Sequence, residues 1–369
     1  MDFAESPAQR LLGQTARTFL QEHCAPERLQ ALALEPLAFA EDTWKAMAAM
    51  GWPGLLIPPE LGGGGGSVLD VVSLVEEMGR ACLPSPFVSS AVVATSMLLA
   101  AGRAGRARSL LPALALGDRV AAVAVLEESG RYEPESVSTH VDASGRLTGR
   151  KLFVKDAHVA TDLIVIARGD RGLLALLLPA RRAGISMLPL EAMGDEKLFE
   201  VTFDRVEALA EDLLGPAEGD GDLLTPAMRV GALARSAEMV GAAARILDLC
   251  VEHARVRVQS GRPIGAFQAI QHHCADLLRD VEASRGLVHE AAWLLSEGAD
   301  ASAAVATAKA FCAAACLRVA RRGHQIMGAV GYCEEHPLHL FHKRILAASL
   351  DWGDPTLHLE TVARSIGLA

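Results

Sequence analysis

The spacing of apolar positions divides the chain into three segments with different predicted secondary structure. Through the first 116 residues, apolar side chains recur every three or four positions, as in Leu12, Ala16 and Leu20, which is typical of amphipathic helices. From Val120 to about residue 207 the apolar residues form short runs bounded by Gly, Asp and Pro, which predicts buried strands. Helical spacing returns after residue 222 and continues to the end.

Five apolar runs are the predicted strands of the middle segment: AAVAVLEE, GRKLFVK, TDLIVIA, RGLLALLLP and LFEVTFD. The DASG turn at 142–145 and the GDRG turn at 169–172 are typical of hairpin connections, so 119–207 is expected to form a compact β-domain, a small barrel. Leucine favours helix by propensity, but Gly172 and Pro179 bound the leucine-rich run and favour a strand.

The last segment predicts a four-helix bundle, because four long helical patterns follow one another with short breaks. They span about 225–260, 266–297, 301–327 and 338–367, and the polar stretch PAEGDGD at 216–222 is the linker before them. The predicted fold class is therefore α+β. Its domains are a helical domain over 1–118, a β-domain over 119–215 and a bundle over 222–369.

Composition narrows the class of protein. With 369 residues, of which 51% are apolar and 22% charged, the chain is long enough for two or three globular domains. The net charge of −10 and the absence of a basic patch argue against nucleic-acid binding. No basic leader or membrane-length apolar run is seen, and the seven scattered cysteines suit a reducing compartment, so we expect a cytoplasmic location.

The stretch VRVQSGRPIGAFQAIQHHCAD at 256–276 is the richest in candidate binding groups. Gly261 and Pro263 end one predicted helix near Ser260, and another begins near Phe267. One tight corner therefore gathers donors that suit a pyrophosphate or dinucleotide, including the free N–H groups of the second helix. The side chains concerned are Arg257, Gln259, Ser260 and Gln268. An ordinary helical hairpin with surface Arg and Gln has the same pattern.

Four motifs in order resemble the acyl-CoA dehydrogenase flavoprotein family. RVQSGRPIGAFQAIQH is similar to its RxxFGxPIxxFQ signature, and QIMGAVGYCEEHPLHLFHKR to its QxxGGxGyxxEhP loop. GLLIPPELGGGGGSVLDVVSLVEEMGRA and GRLTGRKLFVKDAHVATDLIVIAR resemble two earlier segments. The resemblance implies a helical domain, a β-barrel and a four-helix bundle. It also implies FAD as cofactor, an acyl-CoA substrate and an electron-transferring flavoprotein as acceptor.

The resemblance assigns several residues to the flavin. Arg257 matches the arginine at the pyrophosphate, with Gln259 and Ser260 beside it, although the family usually has Phe in place of Ser260. Phe153 stands where a tryptophan commonly backs the flavin ring. The remaining nucleotide contacts implied are Gln268, Gln325, Gly328 and Gly331.

The positions expected to face the flavin ring depart further from the family pattern. Val123 and Leu126 replace hydroxyl-bearing residues, and Lys155 replaces a nearby Ser or Thr. Hydroxyl donors to the ring are therefore missing, although Phe153 still offers a stacking surface. The glycines at 62–66 are interpreted either as a loop beside the thioester or as a connector.

Neither place at which the family carries its catalytic glutamate holds an acid. Ungapped counting puts these places at Gly231 and Trp352. Asp351, one residue away, and Glu238, two helical turns after Gly231, are the remaining candidate bases. Arg235 lies on the same helical face and is interpreted either as a contact to a polar acyl group or as a salt-bridged arginine.

These departures agree with one another. A chain that keeps the ADP contacts and lacks both base positions resembles the partner subunit of a heteromeric acyl-CoA dehydrogenase, in a homo- or hetero-tetramer with a sister subunit. A non-catalytic scaffold and an acyl-thioester dehydrogenase or oxidase of secondary metabolism remain alternatives. No metal site is expected, because neither Cys312 and Cys316 nor the spaced histidines His336, His339 and His342 come with a complete ligand set.

Overall fold

The computed structural model describes residues 6–35, 37, 39–102, 105–170, 172–215 and 222–368. Helices come first, a mixed sheet follows, and long helices complete the chain, so the predicted fold class is confirmed. The linker residues 216–221 and Arg171 of the predicted GDRG turn lie outside the described residues.

The N-terminal helices begin where the sequence offers caps. Ser6 and Ser67 each accept a backbone N–H three residues later, and Gln9 and Asp70 bond back to them, which completes two capping boxes. A π-helix at Phe87–Ala94 continues directly into α5. The helices are α1 (Pro7–His23), α2 (Pro26–Leu34), α3 (Glu41–Ala49), α4 (Val68–Arg80), α5 (Thr95–Ala100) and α6 (Gly105–Ala115).

The middle segment is an eight-stranded mixed sheet in the order β6-β7-β3-β2-β4-β5-β8, with β1 parallel to β4. All five predicted strands are present. The three that the pattern missed are two-residue strands or an edge strand that pairs only with β7 and contains a proline. The strands are β1 (Ala121–Ala124), β2 (His140–Val141), β3 (Arg146–Lys155), β4 (Asp162–Gly169), β5 (Gly172–Pro179), β6 (Ile185–Leu190), β7 (Leu198–Glu207) and β8 (Leu213–Leu214).

The C-terminal helices are α7 (Leu224–Val256), α8 (Gln268–Ser296), α9 (Ser302–Met327), α10 (Leu338–Leu350) and α11 (Pro355–Ser365). Two predicted boundaries were wrong. The first helix ends at Val256 rather than Ser260, and a ribbon of β9 (Val258–Gln259) and β10 (Arg262–Pro263) follows. The predicted fourth helix is two helices, because Trp352 and Gly353 have φ values of 56° and 101° and Asp354 caps α11.

The helices at both ends of the chain share one apolar core, and the sheet has a second core on its other face. Helix α4 packs closely on α7, because Gly79 and Gly241 each face the backbone of the other helix with no room for a Cβ. Helix α9 is apolar and long enough to cross a membrane, but 61% of its apolar window is buried inside the protein. It is a core helix of the bundle.

Candidate functional site

The two places expected for a catalytic glutamate lie against each other. A Cβ added to Gly231 would lie 2.6 Å from Cδ2 of the Trp352 indole. Trp352 is only 7% exposed and belongs to the buried core. The two sequence positions therefore converge on one point, but an aromatic ring fills the space and neither position carries a carboxylate.

Three hydrogen bonds hold the turn that carries Trp352. Lys309 of α9 donates to the carbonyl of Asp351 at 2.6 Å, and the Trp352 N–H donates to the Tyr132 hydroxyl at 3.0 Å. The imidazole of His358 lies 3.0 Å from the Trp352 carbonyl. These bonds stabilise an uncommon positive φ and join the turn to the β-domain, where Tyr132 lies.

One helical turn beyond Gly231, Arg235 is 4% exposed and has an acidic partner for each guanidinium nitrogen. Nη1 pairs with Glu238 and Nη2 pairs with Glu196. Nε lies 3.1 Å from the carboxylate of Asp351. The structure thus brings both candidate bases, Glu238 and Asp351, onto the same arginine.

Two further cations complete this group. Arg344 of α10 lies 3.0 Å from Glu238, and Lys155 pairs with Glu196 and lies 3.5 Å from Asp351. We call these residues the Arg235 cluster, and its members are Lys155, Glu196, Arg235, Glu238, Arg344 and Asp351. Its members come from β3, the β6–β7 connection, α7, α10 and the turn after α10.

The cluster determines the protonation of the two candidate bases. Burial by itself raises the pKa of Glu238, but the guanidiniums of Arg235 and Arg344 outweigh it and hold that pKa below its usual range. Burial likewise opposes ionisation of Asp351, whose pKa is nevertheless lowered, chiefly by Lys155 and then by Arg235. A carboxylate with a depressed pKa and fixed cationic partners is a poor acceptor for a weakly acidic α-proton.

A small cavity of about 50 Å³ lies beside the cluster. Ser89 and Asp156 are in its wall, and the Ser89 hydroxyl donates to Asp156 at 2.6 Å. Burial raises the pKa of Asp156. The glycines at 62–66 are not among the lining residues and hydrogen-bond back onto residues 54–59, as when Gly64 N–H donates to the Gly54 carbonyl at 2.8 Å.

The predicted nucleotide corner is fully exposed. Arg257, Gln259, Ser260 and Gln268 all lie at the surface. Ser260 and Gly261 have φ values of 50° and 79°, the two successive positive angles of a tight turn between β9 and β10. No side chain caps the N-terminus of α8, so its first N–H groups are available to a phosphate beside the guanidinium. These residues fit the pyrophosphate half of FAD.

The second nucleotide segment lies at the same end of the bundle. Gln325 is exposed in the last turn of α9, and Gly328 ends that helix with a φ of 64°. Burial and then the charge of Arg257 lower the pKa of His253 in the last turn of α7. Burial and then His253 lower the pKa of His336. His253 therefore lies close to both the corner and the loop that contains Gly331.

Phe153 is the flavin-ring candidate on the β-domain. It is 49% exposed and has a φ of 56°, at a break in the β3–β7 register between Lys151 and Val154. A bulky residue with positive φ is uncommon, and such residues concentrate at functional sites. The bulge directs the Phe153 ring into solvent, while the nearby Lys155 ammonium pairs inside the cluster.

The histidines at 336, 339 and 342 do not share one site. The His342 ring lies 3.1 Å from that of His324, whereas the His339 ring lies 3.1 Å from the Glu334 carbonyl. Within the described ranges no group of three or more His, Cys, Asp or Glu side chains is arranged to hold a metal ion.

Sequence reasoning missed Glu196, Arg344 and Lys309. Glu196 and Lys309 lie far along the chain from the residues they contact, Arg344 contacts Glu238 across 106 positions, and no local motif marks any of the three. The one available signal concerned Lys309, which stands within an alanine-rich helical pattern. A lysine at such a buried position is rarely without partners.

Family models and known proteins match this chain over most of its length. Residues 6–118 match the acyl-CoA dehydrogenase N-terminal domain, and residues 219–367 match the acyl-CoA dehydrogenase C-terminal domain. The chain is 28% identical to acyl-CoA dehydrogenase FadE27 of Mycobacterium tuberculosis over 99% of both proteins. A chain of the ChsE4-ChsE5 complex of Mycobacterium tuberculosis superimposes with a TM-score of 0.90 at 29% identity, over 100% of both chains. Butyryl-CoA dehydrogenase of Megasphaera elsdenii shares the fold with a TM-score of 0.92, at 24% identity over 99% of this chain and 100% of that one.

Proposed function

The chain belongs to the acyl-CoA dehydrogenase family, and we propose that it is one subunit of a heteromeric enzyme whose sister chain supplies the catalytic base. Enzymes of this family are flavin-dependent and use FAD as cofactor. The contact of Gly231 with Trp352 is the observation that carries the proposal. Neither of these two base positions carries a carboxylate, and the indole of Trp352 occupies the space between them.

In the proposed assembly this chain binds the ADP half of the flavin. Arg257 pairs with the pyrophosphate, the N-terminus of α8 donates N–H groups to it, and Gln268 and Gln325 contact the nucleotide. When bound, FAD accepts the hydride that leaves the β-carbon of the acyl group. Within this chain Glu238 and Asp351 stay in their ion pairs and take no proton from substrate.

Exposed apolar side chains around the corner support a second chain at this place. Val256 and Tyr332 are 75% and 72% exposed, and Val258 and Val330 are also exposed. Apolar groups beside charged binding residues are typical of a surface that another protein covers. The similar ChsE4-ChsE5 structure is a complex of two named proteins, which agrees with a heteromer. We place the enzyme in the cytoplasm, with an electron-transferring flavoprotein as acceptor.

Reconstitution tests the proposal. The chain is purified alone, and with a sister acyl-CoA dehydrogenase subunit that carries the catalytic glutamate, and flavin content and acyl-CoA oxidation are measured for each. We expect flavin and activity only in the mixture. Arg257→Ala is expected to lower flavin content more than tenfold, whereas Arg364→Ala, which removes an equally exposed arginine on α11, leaves it unchanged. If the chain alone is yellow and a saturated acyl-CoA bleaches it, the heteromeric role is excluded.

A further inference from the structure

The place that receives the acyl group in a catalytic chain follows from the chemistry. A base must reach the α-proton within hydrogen-bond distance, so the acyl α-carbon lies beside the base position. Here that position is the contact between Gly231 and Trp352. One helical turn further along α7, Arg235 is in the wall of the small cavity, together with Glu238. We call this space the acyl chamber.

We propose that the Arg235 cluster and the Trp352 indole close the acyl chamber, so that this chain accepts no acyl group and the substrate lies wholly in the sister subunit. This inference rests on the proposed function, which locates the chamber beside Gly231. It goes further, because a chain without a base is still able to bind substrate if its chamber is open.

Three carboxylates of this chain already compensate the charge of Arg235. Glu238 pairs with Nη1 and Glu196 with Nη2, and the Asp351 carboxylate lies 3.1 Å from Nε without a hydrogen bond between them. A ligand carboxylate would have to displace one of them and leave it buried without its cation. Breaking a buried ion pair in this way is strongly unfavourable.

The cluster is also balanced in charge. Its cations are Lys155, Arg235 and Arg344, and its acids are Glu196, Glu238 and Asp351, so three charges of each sign face one another. A charged ligand of either sign would add a net charge to a buried group that has none. The lysine nearest to it, Lys309, is already bonded to backbone carbonyls.

An apolar acyl chain is excluded by volume and by surroundings. The cavity of about 50 Å³ has room for only a few water molecules. Methylene groups entering it would replace water around ionised side chains, which removes solvation and returns no hydrogen bond. The Trp352 indole fills the space at Gly231, and Tyr132 and His358 bond the backbone of the residue that carries it.

The cluster has a structural role in place of ligand binding. Glu196 comes from the β-domain, Arg235 from α7, and Asp351 from the turn after α10, so one guanidinium connects three parts of the fold. Arg344 adds α10 and donates to the carbonyl of Leu83 after α4 at 3.3 Å. The ion pairs beside the chamber therefore connect the β-domain to the helices of the C-terminal bundle.

Titration of the purified full chain with CoA, butyryl-CoA and octanoyl-CoA by calorimetry tests closure directly. We expect the three affinities, if measurable, to agree within twofold, because only the CoA part finds a surface. An affinity that rises tenfold or more from CoA to octanoyl-CoA would overturn the inference. This result does not depend on flavin or on a partner, so it is separate from the test by reconstitution.

Photolabelling of the reconstituted complex gives an independent answer. An octanoyl-CoA with a diazirine at the end of its acyl chain is bound in the dark, irradiated, and the labelled peptides are identified by mass spectrometry. We expect labels on the sister chain alone. A label within residues 83–89, 155–158 or 235–238 of this chain, which line the chamber, contradicts closure, even if the complex is active and the proposed function holds.

Discussion

Trp352 packs its indole against the backbone of Gly231, and the two residues come from opposite ends of the last domain. The contact requires both partners: a glycine that leaves the space and a large ring that fills it. A positive φ at Trp352 aims the ring, and bonds from Lys309, Tyr132 and His358 maintain that angle. Four predictions follow from this turn and the ion pairs beside it.

Gly231→Ala is expected to lower the free energy of unfolding by about 1–3 kcal/mol, because the added Cβ overlaps the indole and overpacks the core. Gly286→Ala is the matched control, since Gly286 is also helical and a Cβ there meets no atom within 4 Å. It should be neutral or stabilising by up to about 1 kcal/mol. Urea denaturation measures both, and equal effects would contradict the packing argument.

Arg235→Met is expected to cost about 3–5 kcal/mol of stability, because Glu196, Glu238 and Asp351 would keep buried charges without their shared partner. Arg364→Met removes an exposed i,i+4 pair with Glu360 and should change stability by less than about 0.5 kcal/mol. Chemical denaturation of both variants checks the contrast. A small loss in Arg235→Met would mean that water already reaches the cluster.

Lys309 predicts a pH dependence of stability. Burial lowers the pKa of its ammonium from 10.5 to about 7, so between these values the unfolded chain binds more protons than the folded chain. The contribution of this lysine to stability therefore rises with pH from about 7 to 10, by at most about 1.4 kcal/mol per pH unit. In Lys309→Met this rise should be absent.

Urea titrations at pH 7, 8 and 9 compare the wild type with Lys309→Met and with the exposed control Lys45→Met. Only the variant at 309 should show a smaller rise of unfolding free energy with pH. Identical slopes in all three proteins would show that Lys309 titrates in the folded chain as it does in water.

Tyr132→Phe removes the hydroxyl that accepts the Trp352 N–H at 3.0 Å. Leaving this buried donor without its partner should cost about 1–3 kcal/mol and speed amide exchange at Trp352. Tyr332→Phe is the control, because the chain has two tyrosines and Tyr332 is exposed. Hydrogen exchange with mass spectrometry of the 351–358 peptide gives the local readout. Equal protection in the wild type and in both variants would show that the Tyr132 hydroxyl does not stabilise the turn.

Much of the fold was predictable because it rests on local patterns. Bounded apolar runs located five of the eight strands of the sheet, and helical periodicity located the long helices within a few residues. The break at 351–354 was missed because helical spacing continues across it, although Gly353 and Pro355 stand there. Two-residue strands such as β2 and β8 carry no periodic signal.

The sequence by itself determined the family and the absence of an acid at both expected glutamate positions, and it predicted the nucleotide corner at Arg257, because ordered motifs and missing residue types are properties of the chain. Only the tertiary structure decided that Glu238 and Asp351 pair with one arginine, and that Trp352 fills the space beside Gly231. The contacts of Arg235 with Asp351 and of Gly231 with Trp352 join residues more than a hundred positions apart. Their free energies depend on burial and on the distance between charges, which exist only once the helices and the sheet have packed.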